Sequence, residues 1–254
     1  MADTTIAKHQ GDYGVDGSFH TFSARAQGLG VLAQSATLLG FAALSAARGK
    51  RLRAALSGAA GAGVLASAGL YLYATRAGKF RVWDELLDGL RLRGDETVLD
   101  MGCGRGAVLL AAAKRLPHGK AIGVDLWQAD QTDNSEQATL ANAALEQVLD
   151  RVEVHTADMT ALPLADGSVD VVVSNLAIHN IPSRDGRRRA LTEAVRVLRP
   201  GGRLVIADLW EIRNHAAQLR ELGWRNVTQR NLGWRMWYGG PWAATRLVTA
   251  TKPS

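Results

Sequence analysis

Seven residues, Asp100-Met101-Gly102-Cys103-Gly104-Arg105-Gly106, lie between a short apolar run and an alanine- and leucine-rich run. Residues 96–100 read as a buried strand. Residues 107–116 read as a helix, stopped by Pro117 and Gly119. A strand that enters a helix through closely spaced glycines brings bare backbone up to a ligand. Gly102 and Gly104 permit that approach, and Gly106 lets the next helix pack tightly. Dinucleotide folds use G-x-G-x-x-G to hold a pyrophosphate. Here the spacing is G-x-G-x-G, and an acid leads it. A carboxylate at that point repels a diphosphate and attracts an ammonium group.

The chain beyond the loop alternates between strand and helix patterns. Strands are expected at 121–124, 152–155, 169–173, 203–207, 224–229 and 245–251. Helices are expected at 80–92, 135–149, 184–198 and 215–222, with a break at Pro200-Gly201-Gly202. Such alternation predicts an α/β fold with a doubly wound, mostly parallel sheet. Ligands of these sheets sit beyond the carboxyl ends of the strands, where the strand order reverses. Asp100, Asp125, Asp158 and Asn175 should therefore ring one crevice. Asp125 can accept from both ribose hydroxyls of a nucleoside. Asp158 can accept from an adenine amino group while Met159 packs on the ring. Either acid could instead be an ordinary cap or loop acid.

The acid-led glycine loop, Asp125, Ala157-Asp158-Met159, Ser174-Asn175-Leu176 and Arg199-Pro200-Gly201-Gly202 occur in that order. Together they closely resemble the class I, Rossmann-like S-adenosylmethionine-dependent methyltransferase family, over about residues 82–253. The resemblance implies a seven-stranded sheet with an antiparallel final strand, adenosylmethionine as donor and adenosylhomocysteine as product. It also implies that Asp100 and Gly102 hold the methionine end, Asp125 the ribose, and Asp158 and Met159 the adenine. Cys103, Gly104, Gly106, Leu126 and Asn175 complete the candidate cofactor-binding set.

Methyl transfer is a direct displacement, for which a protein supplies proximity, orientation and desolvation. An acceptor that carries a proton also calls for a base. His179 follows the fourth strand and is the candidate base, or else a substrate-shaping residue beside Asn180. Asp208 ends the fifth strand, where it either touches substrate or caps a helix. Trp127 opens a polar loop after the second strand and is a candidate to contact the acceptor. Trp234, Trp237 and Tyr238 could line an acceptor pocket, fill the core or form an interfacial aromatic belt.

Two stretches, residues 26–47 and 54–75, contain no charged residue, and each is 22 residues long. A helix of that length spans roughly 33 Å, near the thickness of a bilayer's hydrocarbon core. Arg48, Lys50, Arg51 and Arg53 lie between them. The pattern predicts a helical hairpin over 26–78, read as a membrane anchor through residues 26–75. The competing reading is a pair of soluble alanine-rich helices packed on the domain or against a second copy. Residues 1–25 form a polar, glycine-bearing arm, either mobile or locally folded, and residues 79–254 form the methyltransferase domain.

Charge supports a membrane partner. Up to Arg81 the chain has nine Lys/Arg against three Asp/Glu, and from Val82 onward it has 21 of each. A basic front on a neutral body suits an anionic lipid surface better than nucleic acid. Cys103 is the only cysteine, and no cysteine–histidine cluster suggests a metal. The expected protein is a methyltransferase of a small, apolar or lipid-like acceptor, held at the cell membrane with its domain facing the cytoplasm. Protein side-chain methylation and non-catalytic cofactor binding are the alternatives.

Overall fold

The computed structural model describes residues 9–17 and 21–254. Residues 1–8 and 18–20 of the predicted arm lie outside the described residues. Helix α1 (Ala24–Ala47) starts at Ser23, whose hydroxyl accepts from the Ala26 amide. It ends at Gly49, whose φ of +72° closes the turn. Helix α2 (Arg51–Tyr73) returns antiparallel. Gly61 lies where the two helices come closest, since a Cβ there would meet Leu39 Cγ at 2.9 Å. Small residues permit this approach.

Helix α2 does not stop at a linker. One π turn, Ala74–Gly78, joins it to α3 (Lys79–Leu90), so the helical path runs unbroken from Arg51 to Leu90. The expected boundary at residue 78 is thus a change in hydrogen-bonding pitch within a continuous rod. Gly78 lets the rod lie against the backbone carbonyl of Arg235, which a Cβ would strike at 1.9 Å.

The domain is a seven-stranded sheet. Its strands are β1 (Thr97–Met101), β2 (Lys120–Asp125), β3 (Val152–Thr156), β4 (Val169–Asn175), β5 (Leu198–Asp208), β6 (Thr228–Asn231) and β7 (Arg246–Thr251). The spatial order is β3-β2-β1-β4-β5-β7-β6, with β7 antiparallel to both neighbours and the other pairs parallel. This is the expected doubly wound, seven-stranded, mostly parallel sheet carrying an N-terminal helical hairpin.

Side chains alternate across the pleat. Val98, Val171, Val173 and Val205 face α3 and α4 (Ala107–Ala113). Leu99, Val172, Leu204 and Ile206 face α6 (Arg184–Val197) and α7 (Ile212–Glu221). Helix α5 (Glu136–Leu145) follows β2 and packs near β3. The strand order reverses at β1, between β2 and β4. The crevice predicted at the carboxyl ends opens there.

Two local expectations change. Strand β5 continues through Pro200-Gly201-Gly202 instead of starting after them. The Gly201 amide donates to the Lys252 carbonyl and the Lys252 amide to Gly202, which holds the segment in the sheet. The segment 224–229 is not a strand from its start. Gly223, at φ +83°, ends α7, and Trp224 turns into the core at 4% exposure before β6 begins.

The arm is folded. Tyr13 is buried, and its hydroxyl donates to Glu146 Oε1 at 2.9 Å, as do the amides of Gln10 and Gly11. Burial alone would raise the Glu146 carboxyl, but Lys114 at 2.6 Å and the arm's donors hold it down to about 2. The Arg105 guanidinium grips the Asp12 carbonyl and carboxylate at 2.8 and 3.0 Å. The arm therefore crosses the carboxyl edge of the sheet, directly over the glycine loop.

Candidate active site

Asp100 is the next-to-last residue of β1, and its side chain is buried at 1% exposure. Its Oδ1 has no hydrogen-bond partner among the described residues. Burial, and then the nearby Asp125 charge, push its carboxyl up to about 8. A backbone hydrogen bond from Leu109 only partly offsets this, and a buried carboxylate with an unpaired oxygen is costly unless a cation meets it. The loop that follows is built for close approach. Gly102 has φ +75°, and a Cβ there would sit 2.1 Å from Ala177 Cβ. Gly104 has φ +49°, and its Cβ would lie 2.5 Å from Gln131 Oε1. Gly102 N donates to the Val124 carbonyl at 2.8 Å, which ties the loop to the end of β2.

Asp125 ends β2. Its Oδ2 accepts from Gly104 N at 2.8 Å and its Oδ1 from Trp127 N at 2.7 Å. These bonds act to lower its pKa, yet burial outweighs them and raises it. Burial also raises Asp130, with the Asp125 charge adding to the effect. The crevice is thus a low-dielectric pocket with several carboxylates, the reverse of a diphosphate site.

The crevice has two connected parts that share Gly102, Asp125, Asp130 and Ala177. One, enclosing about 490 Å³, is lined by Asp100, Cys103, Gly104, Asn175, Asp16 and Lys79, among others. The other, about 740 Å³, is lined by Leu126, Asp158, Met159, Asn180 and Pro182, among others. The first fits the amino-acid end of a sulfonium nucleoside, with Asp100 facing an ammonium. The second fits a nucleoside, with Asp125 and Asp158 at its edge and Met159 for a ring. The carboxylate acceptors present match adenosylmethionine in charge and in hydrogen-bonding sense.

Residues 99–206 match a family model described as a methyltransferase domain. That segment, from β1 to β5, is thus similar to a methyltransferase domain. Over 142 residues it is 34% identical to a ubiquinone/menaquinone biosynthesis C-methyltransferase from Roseobacter denitrificans, covering 56% of this chain and 54% of that protein. Over 145 residues it is 35% identical to an arsenite methyltransferase from Aquipseudomonas alcaligenes, covering 54% of this chain and 37% of that protein. The chain therefore spans about half, or less, of the length of these relatives. A methyltransferase from Aquifex aeolicus, described as SAM-dependent, superposes with a TM-score of 0.52 at 22% identity, covering 66% of this chain and 88% of that one. That likeness is one of fold.

The fold gathers Asp100, Gly102, Cys103, Gly104, Asp125, Leu126, Asp158, Met159, Asn175 and Asn180 around the crevice. Gly106 stands behind it, at φ +89°, packed near Leu110 and Thr139. Burial raises the Cys103 thiol, and its sulfur packs toward Gly123, so it is a filler of the loop and not a nucleophile. Asn175 is oriented by the Trp83 indole, which donates to its Oδ1 at 2.8 Å.

His179 and Asp208 come together as a pair. His179 Nδ1 lies 2.5 Å from Asp208 Oδ1, and the His179 amide donates to Oδ2 at 3.1 Å. Asp208 is completely buried, so it is out of reach of a substrate and meets the rim only through His179. His179 stands at the rim, between the crevice residues Ala177 and Asn180, with the exposed Trp210 edge-on at 5.8 Å.

Three acceptor candidates fall elsewhere. Trp127 donates its indole N–H to Thr156 Oγ1 at 2.7 Å, outside the crevice lining. Trp234 stacks on Tyr73 of α2 at 5.0 Å, so it belongs to the foot of the hairpin. Trp237 lies in the same segment and does not line the crevice. Tyr238 reaches the site only indirectly, by donating to Asp16 Oδ2 at 3.0 Å. Sequence reasoning missed Asp16, Lys79, Asp130 and Gln131. Only Asp130 and Gln131, in the polar loop after β2, carried any local signal.

A ligand ammonium binds the ionised form of Asp100, whose pKa in the free protein is about 8. Below that pH the carboxyl must release its proton on binding, so affinity falls by up to about tenfold per pH unit as the pH drops. Calorimetry at pH 6.5 in two buffers of different ionisation enthalpy should show close to one proton released on binding adenosylhomocysteine. Absence of release would place the ligand's ammonium away from Asp100.

Proposed function

We propose that the protein is a membrane-associated enzyme that methylates a small, lipophilic acceptor from adenosylmethionine. The observation that carries the cofactor assignment is the buried Asp100 carboxylate at the head of the glycine loop, whose Oδ1 has no hydrogen-bond partner among the described residues. Adenosylmethionine, when bound, supplies an electrophilic methyl group on a sulfonium. Asp100, Asp125 and Asp158 orient the nucleoside through its polar groups, and the arm and Gln131 keep water from the loop side.

The hairpin supports the membrane reading. Helices α1 and α2 have 24 and 23 residues, and both are long and apolar enough to cross a bilayer. Leu29, Leu32, Phe41, Leu52 and Leu56 are at least half exposed, and apolar residues occur all round both helices. Basic residues border both ends. Arg48, Lys50, Arg51 and Arg53 in the turn nearly balance Arg76, Arg81, Arg91 and Arg93 at the domain end, so the positive-inside bias nearly cancels, and the domain is assigned to the cytoplasm because the cofactor is available there. The relative that acts in ubiquinone/menaquinone biosynthesis agrees with a lipophilic acceptor. An arsenite acceptor is disfavoured. Trivalent arsenic seeks soft thiolates, and the one cysteine present is buried in the glycine loop.

His179 is suited to remove a proton from an acceptor lying across the rim beside Trp210. The Asp208 carboxylate accepts from Nδ1 and leaves Nε2 as the free basic nitrogen. Burial acts to lower the His179 pKa, but the bond and charge of Asp208 outweigh it and raise it above 6.5.

Two experiments test this reading. Full-length protein should float with anionic vesicles, and labelled methyl groups from a membrane extract should enter the lipid fraction. Protein that stays in the aqueous phase, with label only in water-soluble products, would refute the acceptor class. If His179 is the base, it must be neutral to act. The rate should then rise through a pKa above 6.5, and Asp208→Asn should move that limb to lower pH. His179→Ala should lower kcat by about 100-fold. Full activity in that variant would leave His179 a structural role only.

A further inference from the structure

An amino-acid end carries two charges, and Asp100 answers only one of them. Among the described residues lining the loop side of the crevice, Lys79 is the one cation. It is 2% exposed and stands on the first turn of α3, immediately after the π turn. Its Nζ donates to both oxygens of Asp16, at 2.7 and 2.9 Å. An ammonium has three donors, so one remains. Asp16 is itself held from several sides. Its amide donates to Thr75 Oγ1 at 2.9 Å, and its carboxylate accepts from Gln131 and Tyr238 at 3.1 and 3.0 Å.

Taking the cofactor assignment above as given, we propose that Lys79 binds the carboxylate of the cofactor's amino-acid end, and that Asp16 positions it there. The amino-acid site is then built from two separate parts of the chain. The sheet contributes Asp100 for the ammonium, and the rod that continues the hairpin contributes Lys79 for the carboxylate. The π turn fits this role, since such insertions rotate the following residues about the helix axis and recur at functional sites. The competing account is that the Lys79–Asp16 pair only fastens the arm.

The two accounts differ in what they predict for a ligand lacking only the carboxylate. Adenosylmethionine and its decarboxylated form share the sulfonium, the ammonium and the nucleoside. Affinities of the full-length protein for both, by calorimetry, should differ by about ten- to a hundredfold, the scale of one charge-assisted hydrogen bond. Lys79→Met should abolish that preference while affinity for the decarboxylated form stays within about threefold, which also shows that the site has folded. Lys79→Gln, whose amide can still donate to Asp16, serves if Lys79→Met does not fold, and the same ratio decides. A preference retained without the ammonium, or absent from the unaltered protein, overturns the assignment of Lys79. Failure of the unaltered protein to bind either ligand would instead overturn the cofactor reading on which it rests.

Discussion

A buried carboxylate with one oxygen unpaired and no cation beside it is the constraint around which the domain is organised. Asp100 cannot move toward water, because β1 runs at the centre of the sheet with β2 and β4 on its flanks. It cannot be neutralised from the sheet, because its polar neighbour Asp125 has the same sign. The energy of such an arrangement is recovered when a cation enters. The glycines clear a path for a ligand to the carboxylate, and the other acids of the crevice set the sign of what may follow it.

The second constraint is mechanical. The arm, the foot of the hairpin and the C-terminal segment meet at Asp16, which contacts Tyr71, Thr75, Lys79, Gln131 and Tyr238. The helix leaving the hairpin enters the domain without a flexible joint. A membrane-held hairpin would therefore fix the orientation of the crevice relative to the lipid surface. The same geometry means that removing residues 1–78 would strip the crevice of Asp16 along with the hairpin, so the front of the chain is part of the site.

What could be read from sequence was what is encoded locally. The strand–loop–helix pattern at 96–116 and the acids at strand ends depend on neighbours a few residues apart, and Asp100, Asp125, Asp158 and Asn175 all fall where that pattern puts them. The sheet followed because the 2-residue and 3.6-residue periods are clear in the core segments. Lys79 and Asp16 were illegible because their roles come from packing. Asp16 meets Lys79 across 63 residues and Tyr238 across 222. For Trp234 and Trp237 the sequence left an acceptor pocket, the core and an interfacial belt all open, because composition carries no direction. In the fold, the Tyr73 ring and the close fit of Gly78 to Arg235 draw that segment to the rod instead. The strand through Pro200-Gly201-Gly202 was hidden for a related reason, since its pairing with Lys252 lies some 50 residues away.

The most direct check is a structure of the full-length chain determined with adenosylhomocysteine and, separately, with a nicotinamide dinucleotide at equal concentration. The account predicts density for the sulfur nucleoside beside Asp100, its amino group within hydrogen-bonding distance of that carboxylate, and none for the dinucleotide. A dinucleotide seated on the glycine loop, with the sulfur nucleoside absent, would contradict it.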